Sequence, residues 1–190
     1  MSLPMIAEHD LIPFEPSSLP PGPWLVFAPH PDDETFGMGG SIALASDQGI
    51  RVEVVVMTGG EGAGDVDTRR KESRLAGQIL GIAEHYFWSF PDGRLADFDM
   101  SPKKLEPILA QLNPKTIFLP GIQEFHPDHR ATTKIMGPLL GSIGYVDNVW
   151  LYEITRQNEA NRLVDITHVI DRKIQAIQCF CSQLKQVDYQ

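Results

Sequence analysis

The sequence predicts an α/β fold in which a mostly parallel sheet is covered by helices on both faces. Three observations predict it. Short apolar runs rich in β-branched residues alternate along the chain with stretches of helical period, the order that builds a parallel sheet through right-handed crossovers. "VEVVVM" at 52–57 is nearly all apolar, as strands buried on both faces are. Polar clusters follow the ends of four successive runs, the position where open α/β sheets hold their ligands.

Residues 1–23 carry prolines at 4, 13, 16, 20, 21 and 23 and read as an extended N-terminal strap. Residues 24–190 read as a single domain. Its first strand is Trp24–Ala28, and a helix over Ser41–Gln48 follows the loop "PHPDDE". The second strand is Val52–Met57. Next comes a helix over Arg69–Leu80, whose face carries Leu75, Ala76, Ile79 and Leu80 and which Gly81 ends. The third strand is His85–Phe90, followed by a helix over Pro102–Leu112. The fourth is Thr116–Leu119, followed by a helix over Asp128–Leu140. Asn148–Ile154 reads as a fifth strand. A last amphipathic helix runs from Asp171 to about Leu184, with Ile174, Ile177, Cys179 and Leu184 on its apolar side. The whole is Rossmann-like.

Bulk properties narrow the function. A chain of 190 residues suits one domain with a proper core. A net charge of −9 argues against nucleic acid or a polybasic membrane role. The two cysteines, Cys179 and Cys181, are too close to bridge without strain, so a reducing, cytoplasmic setting is expected. No signal-peptide pattern opens the chain and no 18-residue apolar run crosses a membrane.

The chemistry concentrates in two turns. Pro29-His30-Pro31-Asp32-Asp33-Glu34 ends the first strand, and Glu124-Phe125-His126-Pro127-Asp128-His129 follows the fourth. Proline and acids at a helix start are ordinary capping chemistry, but two such turns that also carry histidines point to a divalent metal. Two histidines and a carboxylate with an open position form a catalytic zinc pattern. His30 and Asp33 converge from one tight turn. One histidine of "HPDH" completes the set, and the spacing does not say which. Asp32 is placed to take a proton, the remaining histidine to face a developing oxyanion or protonate the leaving group, and Glu34 to cap or support. "TGGEGAG" at 58–64 lacks nucleotide-loop spacing and reads as a tight turn lining the site, with Glu61 a substrate contact or a cap. His9, His85 and His168 stand alone and read as structural or solvated, and Trp150 and Tyr152 as packing.

With these motifs the chain resembles the PIG-L/LmbE family of zinc-dependent N-acetylglucosamine deacetylases. "HPDDE" and "HPDHR" match its two signature blocks. "GGSIA" at 39–43, "TGGEGA" at 58–63, the Arg69–Gly81 pattern, "PDGRL" at 91–95, Lys173, Ala176-Ile177 and "SQL" at 182–184 match in order. Glu124-Phe125 stand where many relatives carry a tyrosine. The resemblance implies His30, Asp33 and His129 as metal ligands, Asp32 as base and His126 as the group that stabilises the tetrahedral intermediate. It also implies Arg69 and Asp92 as sugar contacts, with Arg70 a substitute for Arg69. The implied activity is removal of acetyl from an N-acetylglucosamine-containing small molecule, with metal-bound water as nucleophile and Zn²⁺, or Fe²⁺, as cofactor. No nucleic-acid partner is expected, and homo-oligomer formation is left open. The rival readings are a non-haem iron(II) oxygenase with the same ligand types and a non-catalytic nucleotide- or sugar-binding protein.

Overall fold

The structure is a computed structural model that describes residues 15–144 and 148–185. Most of the expected strap, and His9, lie outside them. Five strands form one sheet: β1 (Trp24–Ala28), β2 (Val52–Thr58), β3 (Glu84–Phe90), β4 (Thr116–Pro120) and β5 (Val149–Tyr152). Their order is β3-β2-β1-β4-β5 and every neighbouring pair is parallel. The helices are α1 (Asp33–Asp47), α2 (Val66–Leu80), α3 (Pro102–Leu112), α4 (Pro127–Ser142), α5 (Ile170–Ile177) and α6 (Cys181–Leu184).

Strand alternation sorts the core into two layers. Trp24, Val26 and Ala28 face the layer of α1, α2 and α5, while Leu25 and Phe27 face that of α3 and α4. All five residues of β1 are fully buried, and burying side chains of this size contributes roughly 1.5–3 kcal/mol each. The Trp24 indole N–H donates to Pro20 O at 3.1 Å. The described part of the strap is likewise tied down: Ser17 N–H donates to Leu163 O at 2.6 Å and the Thr116 hydroxyl to Pro21 O at 2.7 Å. No helix among the described residues is long and apolar enough to cross a membrane.

Two elements differ from the sequence expectation. The first helix begins at Asp33 rather than Ser41. Gly37, Gly39 and Gly40 weaken local propensity there, but close packing demands small residues: a Cβ on Gly37 would lie 2.7 Å from the Tyr152 ring and 2.8 Å from Glu153 O. The last helix divides at Gln178–Phe180. Phe180 there turns fully into the core, its ring 5.9 Å from Phe36. The chain restarts where Ser182 N–H and Oγ donate to Glu72 at 2.8 and 2.6 Å.

Candidate active site

The order β3-β2-β1-β4-β5 reverses direction between β1 and β4, so the loops leaving those strands diverge around a crevice. The 29–34 and 124–129 turns are these loops. Three donor atoms converge between them. His30 Nδ1 lies 3.0 Å from Asp33 Oδ2, His129 Nε2 lies 3.1 Å from the same oxygen, and the two nitrogens are 3.3 Å apart. A four-coordinate ion with bonds of ~2.0–2.1 Å has donor–donor edges of about 3.3 Å, so this triangle matches one face of a coordination tetrahedron. All three residues are buried.

Each imidazole is anchored through its other nitrogen. His30 Nε2 lies 3.0 Å from Asp92 Oδ1 and 3.5 Å from Asp128 Oδ2. His129 Nδ1 lies 3.4 Å from Glu124 Oε2. Such carboxylates fix ring tilt and tautomer, leaving the opposite nitrogen free to bind a cation. Two further groupings around His30, with His126 and His129 or with Asp92 and Asp128, also bring donors within 4.8 Å of one another. Asp128 already accepts N–H bonds from Gly93 (2.7 Å) and Leu95 (3.1 Å). His126 Nδ1 accepts the Asp128 N–H at 3.2 Å as the N-cap of α4. One backbone bond also reaches the triangle, from His30 N–H to Asp33 Oδ2 at 2.9 Å.

The electrostatics fit a cation seat. Burial alone would raise the Asp33 carboxyl, but His129 and His30 outweigh it and hold it far below the usual range. Burial disfavours a charged His30 ring, yet Asp128, Asp33 and Asp92 push its pKa well up. The surrounding acids favour a positive charge at this point, on the rings or on an ion between them. Asp32 stands apart from the trio. Burial, then the Asp33 charge, raises it to about 6 against the opposing pull of Arg69. Arg69 donates to Asp32 Oδ2 (2.8 Å) and to Gly60 O (2.7 Å). Gly60 has φ +65°, and a Cβ there would fall 2.2 Å from Arg69 Nη1, so the turn accepts only glycine without displacing the guanidinium. Glu34 is fully buried, which raises its pKa to about 8, and accepts from Ser73 Oγ (2.8 Å) and Asp32 N–H (3.1 Å).

The other expected residues gather at the same place. His126 is partly buried beside His30, ring centroids 4.5 Å apart; burial, then the charges of His30 and His129, lower its pKa. Asp92 reaches His30 and accepts Gly62 N–H at 3.0 Å. Glu61 contacts the loop rather than capping a helix: Oε1 accepts Asp92 N–H at 2.8 Å. Arg70 turns out of the crevice, its Nη2 donating to Ser89 Oγ. Cys179 and Cys181 are free.

Two residues given no role by the sequence are built into the site. Glu124 is 1 % exposed and accepts Ile154 N–H (2.8 Å), Thr155 N–H (3.0 Å) and Thr155 Oγ1–H (2.5 Å) as well as facing His129. An acid five positions before a histidine, at the end of a buried strand, was the available signal. Asp128, read as a helix-start acid, instead holds the 93–95 turn and the back of His30.

The profile of the PIG-L family, described as GlcNAc-PI de-N-acetylase, matches residues 25–138. The chain belongs to the PIG-L family. A conserved protein of Thermus thermophilus superposes on this PIG-L chain with a TM-score of 0.79 and 31% identity, covering 86% of this chain and 81% of that one. The N,N'-diacetylchitobiose deacetylase of Pyrococcus horikoshii superposes with a TM-score of 0.74 and 31% identity, covering 85% and 71%. A probable N-acetyl-alpha-D-glucosaminyl L-malate deacetylase 2 of Bacillus cereus is 29% identical over 182 residues, covering 84% of this chain and 82% of that protein. The PIG-L match spans both histidine turns and the Arg69 helix.

Proposed function

We propose that this PIG-L protein is a zinc-dependent N-deacetylase that removes acetyl from an N-acetylglucosamine-containing small molecule. The observation that carries the reading is the donor triangle of His30, Asp33 and His129, with edges of 3.0, 3.1 and 3.3 Å and an aspartate that is not part of it alongside. Zinc on that triangle would polarise the acetamide carbonyl and bring the pKa of water toward about 7. The similarity to named deacetylases supports the amide as the bond cleaved, and favours neither the oxygenase nor the non-catalytic binder.

The chain's own residues then divide the proton traffic. Arg69 holds Asp32 through Oδ2, which leaves Oδ1 to take the proton of the attacking water. His126 accepts a backbone N–H at Nδ1, so its neutral ring carries the proton on Nε2. That N–H is the donor for the oxyanion as the carbonyl becomes tetrahedral. Asp32 returns its proton to the departing amine, and acetate and free amine leave. Arg69 and Asp92 are the groups we assign to the sugar. Each also braces a site residue, Asp32 and His30 respectively, so a sugar contact is coupled to the geometry of the chemistry.

The direct test is amine and acetate release from a panel of N-acetylglucosamine derivatives by zinc-loaded protein. Equimolar acetate and amine from at least one derivative is expected. No release from any of them, with zinc bound, removes the proposal. Glu124→Gln is expected to weaken zinc binding by roughly 10–100-fold, the usual cost of losing a carboxylate behind a ligand histidine, as read by competition with a chromogenic chelator.

A further inference from the structure

The outer edge of the sheet carries a second, cationic groove. Asp67, Arg70, Lys71 and Arg74 share one face of α2, at the i, i+3, i+4, i+7 spacing. Opposite them are His85, Phe87 and Ser89, alternate residues of β3. These seven residues line an open groove of about 430 Å³.

The groove is short of negative charge. The Arg70 and Arg74 guanidinium carbons lie 5.5 and 5.2 Å from the centroid of the Phe87 ring. Stacking explains one arginine on an aromatic ring. It does not explain two, with Lys71 added, in a protein of net charge −9. The arginines paired with carboxylates among the described residues, Arg51, Arg69, Arg94 and Arg172, all point elsewhere. Asp67 is the single acid lining the groove. Arg70 Nε is buried without a hydrogen-bond acceptor, whereas His85 Nε2 lies 3.9 Å from the buried carboxylate of Glu34, which does not line the groove. His85 adds no charge of its own, because burial and the nearby Arg74 lower its pKa to about 4.

Ser89 completes the set through an unusual backbone. The β2–β3 ladder shifts register between Val56 and Thr58, so β3 carries an extra residue there, and Ser89 has φ +59°. That region favours glycine, and bulges of this kind re-aim a side chain. Here the bulge sets the hydroxyl against Arg70, whose Nη2 donates to Ser89 Oγ at 2.5 Å. The hydroxyl's own proton is left to donate outward.

We propose that this groove is an oxyanion site that takes a carboxylate or a phosphate, held by Arg70 and Arg74 as planar forks, by Lys71 as a point charge and by the Ser89 hydroxyl. Two sources can present that chemistry. From Ser89 the chain reaches Asp92 within at most about 11 Å of extended backbone, so the acid group of an anionic amino-sugar conjugate is one source; this arm rests on the deacetylase reading above. A free anion is the other.

Calorimetric titration of the zinc-loaded full chain with inorganic phosphate tests the site without reference to catalysis. Wild type is expected to bind phosphate with an affinity that falls as salt rises, and Arg70→Gln/Arg74→Gln to bind it at least tenfold more weakly. Unchanged affinity in the double variant places the phosphate at the metal instead and overturns the proposal, as does the absence of binding to wild type at millimolar phosphate. Kinetics with N-acetylglucosamine 1-phosphate and methyl N-acetylglucosaminide then identify the source. If the anion is part of the substrate, Arg74→Gln raises the KM ratio of the phosphorylated over the methyl substrate about tenfold. If it is free, the ratio stays constant and added phosphate shifts the two rates alike. Failure to deacetylate either compound counts against the deacetylase reading and leaves the titration result standing.

Discussion

Asp32→Asn is expected to lower kcat/KM of the zinc-loaded protein by roughly 10²–10⁴-fold, the contribution of a positioned general base, while zinc content stays stoichiometric by elemental analysis. The geometry separates the two readouts. Asp32 is not among the three converging donors, and its Oδ2 is engaged by Arg69 at 2.8 Å. Asparagine keeps that shape and can still accept from Arg69, but it cannot take a proton. A base works in its ionised form, so wild-type activity falls as pH drops through the Asp32 pKa. That value is about 6 without a metal, and a neighbouring cation draws it lower. The acidic limb should disappear in the variant. A variant with wild-type activity and full zinc would remove Asp32 from the chemistry.

His129→Ala is expected to lose activity by losing the metal. Zinc on a full ligand set is worth about 10–16 kcal/mol, so one ligand of four represents roughly 3–4 kcal/mol, or 10²–10³-fold in affinity. The loss should be visible without any assay of turnover. An ion that binds the folded chain alone stabilises it by about 4 kcal/mol at a thousandfold excess over Kd. Chelation should therefore lower the melting temperature of wild type and leave that of His129→Ala nearly unmoved. Because His30 and His129 carry raised pKa values in the metal-free site, zinc must displace protons, and its affinity should weaken as pH falls. Retention of zinc at wild-type affinity in His129→Ala would move the ligand role to another residue.

The parts of the fold that were legible are those whose signal is local. "WLVFA" and "VEVVVM" read as buried strands because they are nearly all apolar, and Pro102 and Gly81 punctuate helices by local chemistry alone. The start of α1 was hidden because Gly37 is chosen for contact with Tyr152, far away in sequence. The break at Phe180 was hidden because the apolar period continues across it while one ring leaves for the core. Within the site, the spacing of His126 and His129 could not say which faces Asp33. In the fold one caps the helix through Nδ1, and the other, almost a turn later, points Nε2 at Asp33. Glu124 and Asp128 were legible as acids but not as supports, since most of their partners, Thr155 for one and His30 and Gly93 for the other, come from separate loops; His129, five residues after Glu124, is the exception.

Every loop with chemistry leaves the sheet by the same rim, at the carboxyl ends of β1 to β4. The opposite rim, where turns such as Gly49-Ile50 and Gly81-Ile82 return the chain to the strands, carries none of it. Gly49 itself has φ +71°, which strains any side chain, but its neighbour Gln48 is exposed with an ordinary φ of −86°, so a fluorophore or surface tether joined at Gln48 would report on or immobilise the protein with the crevice facing outward and unobstructed.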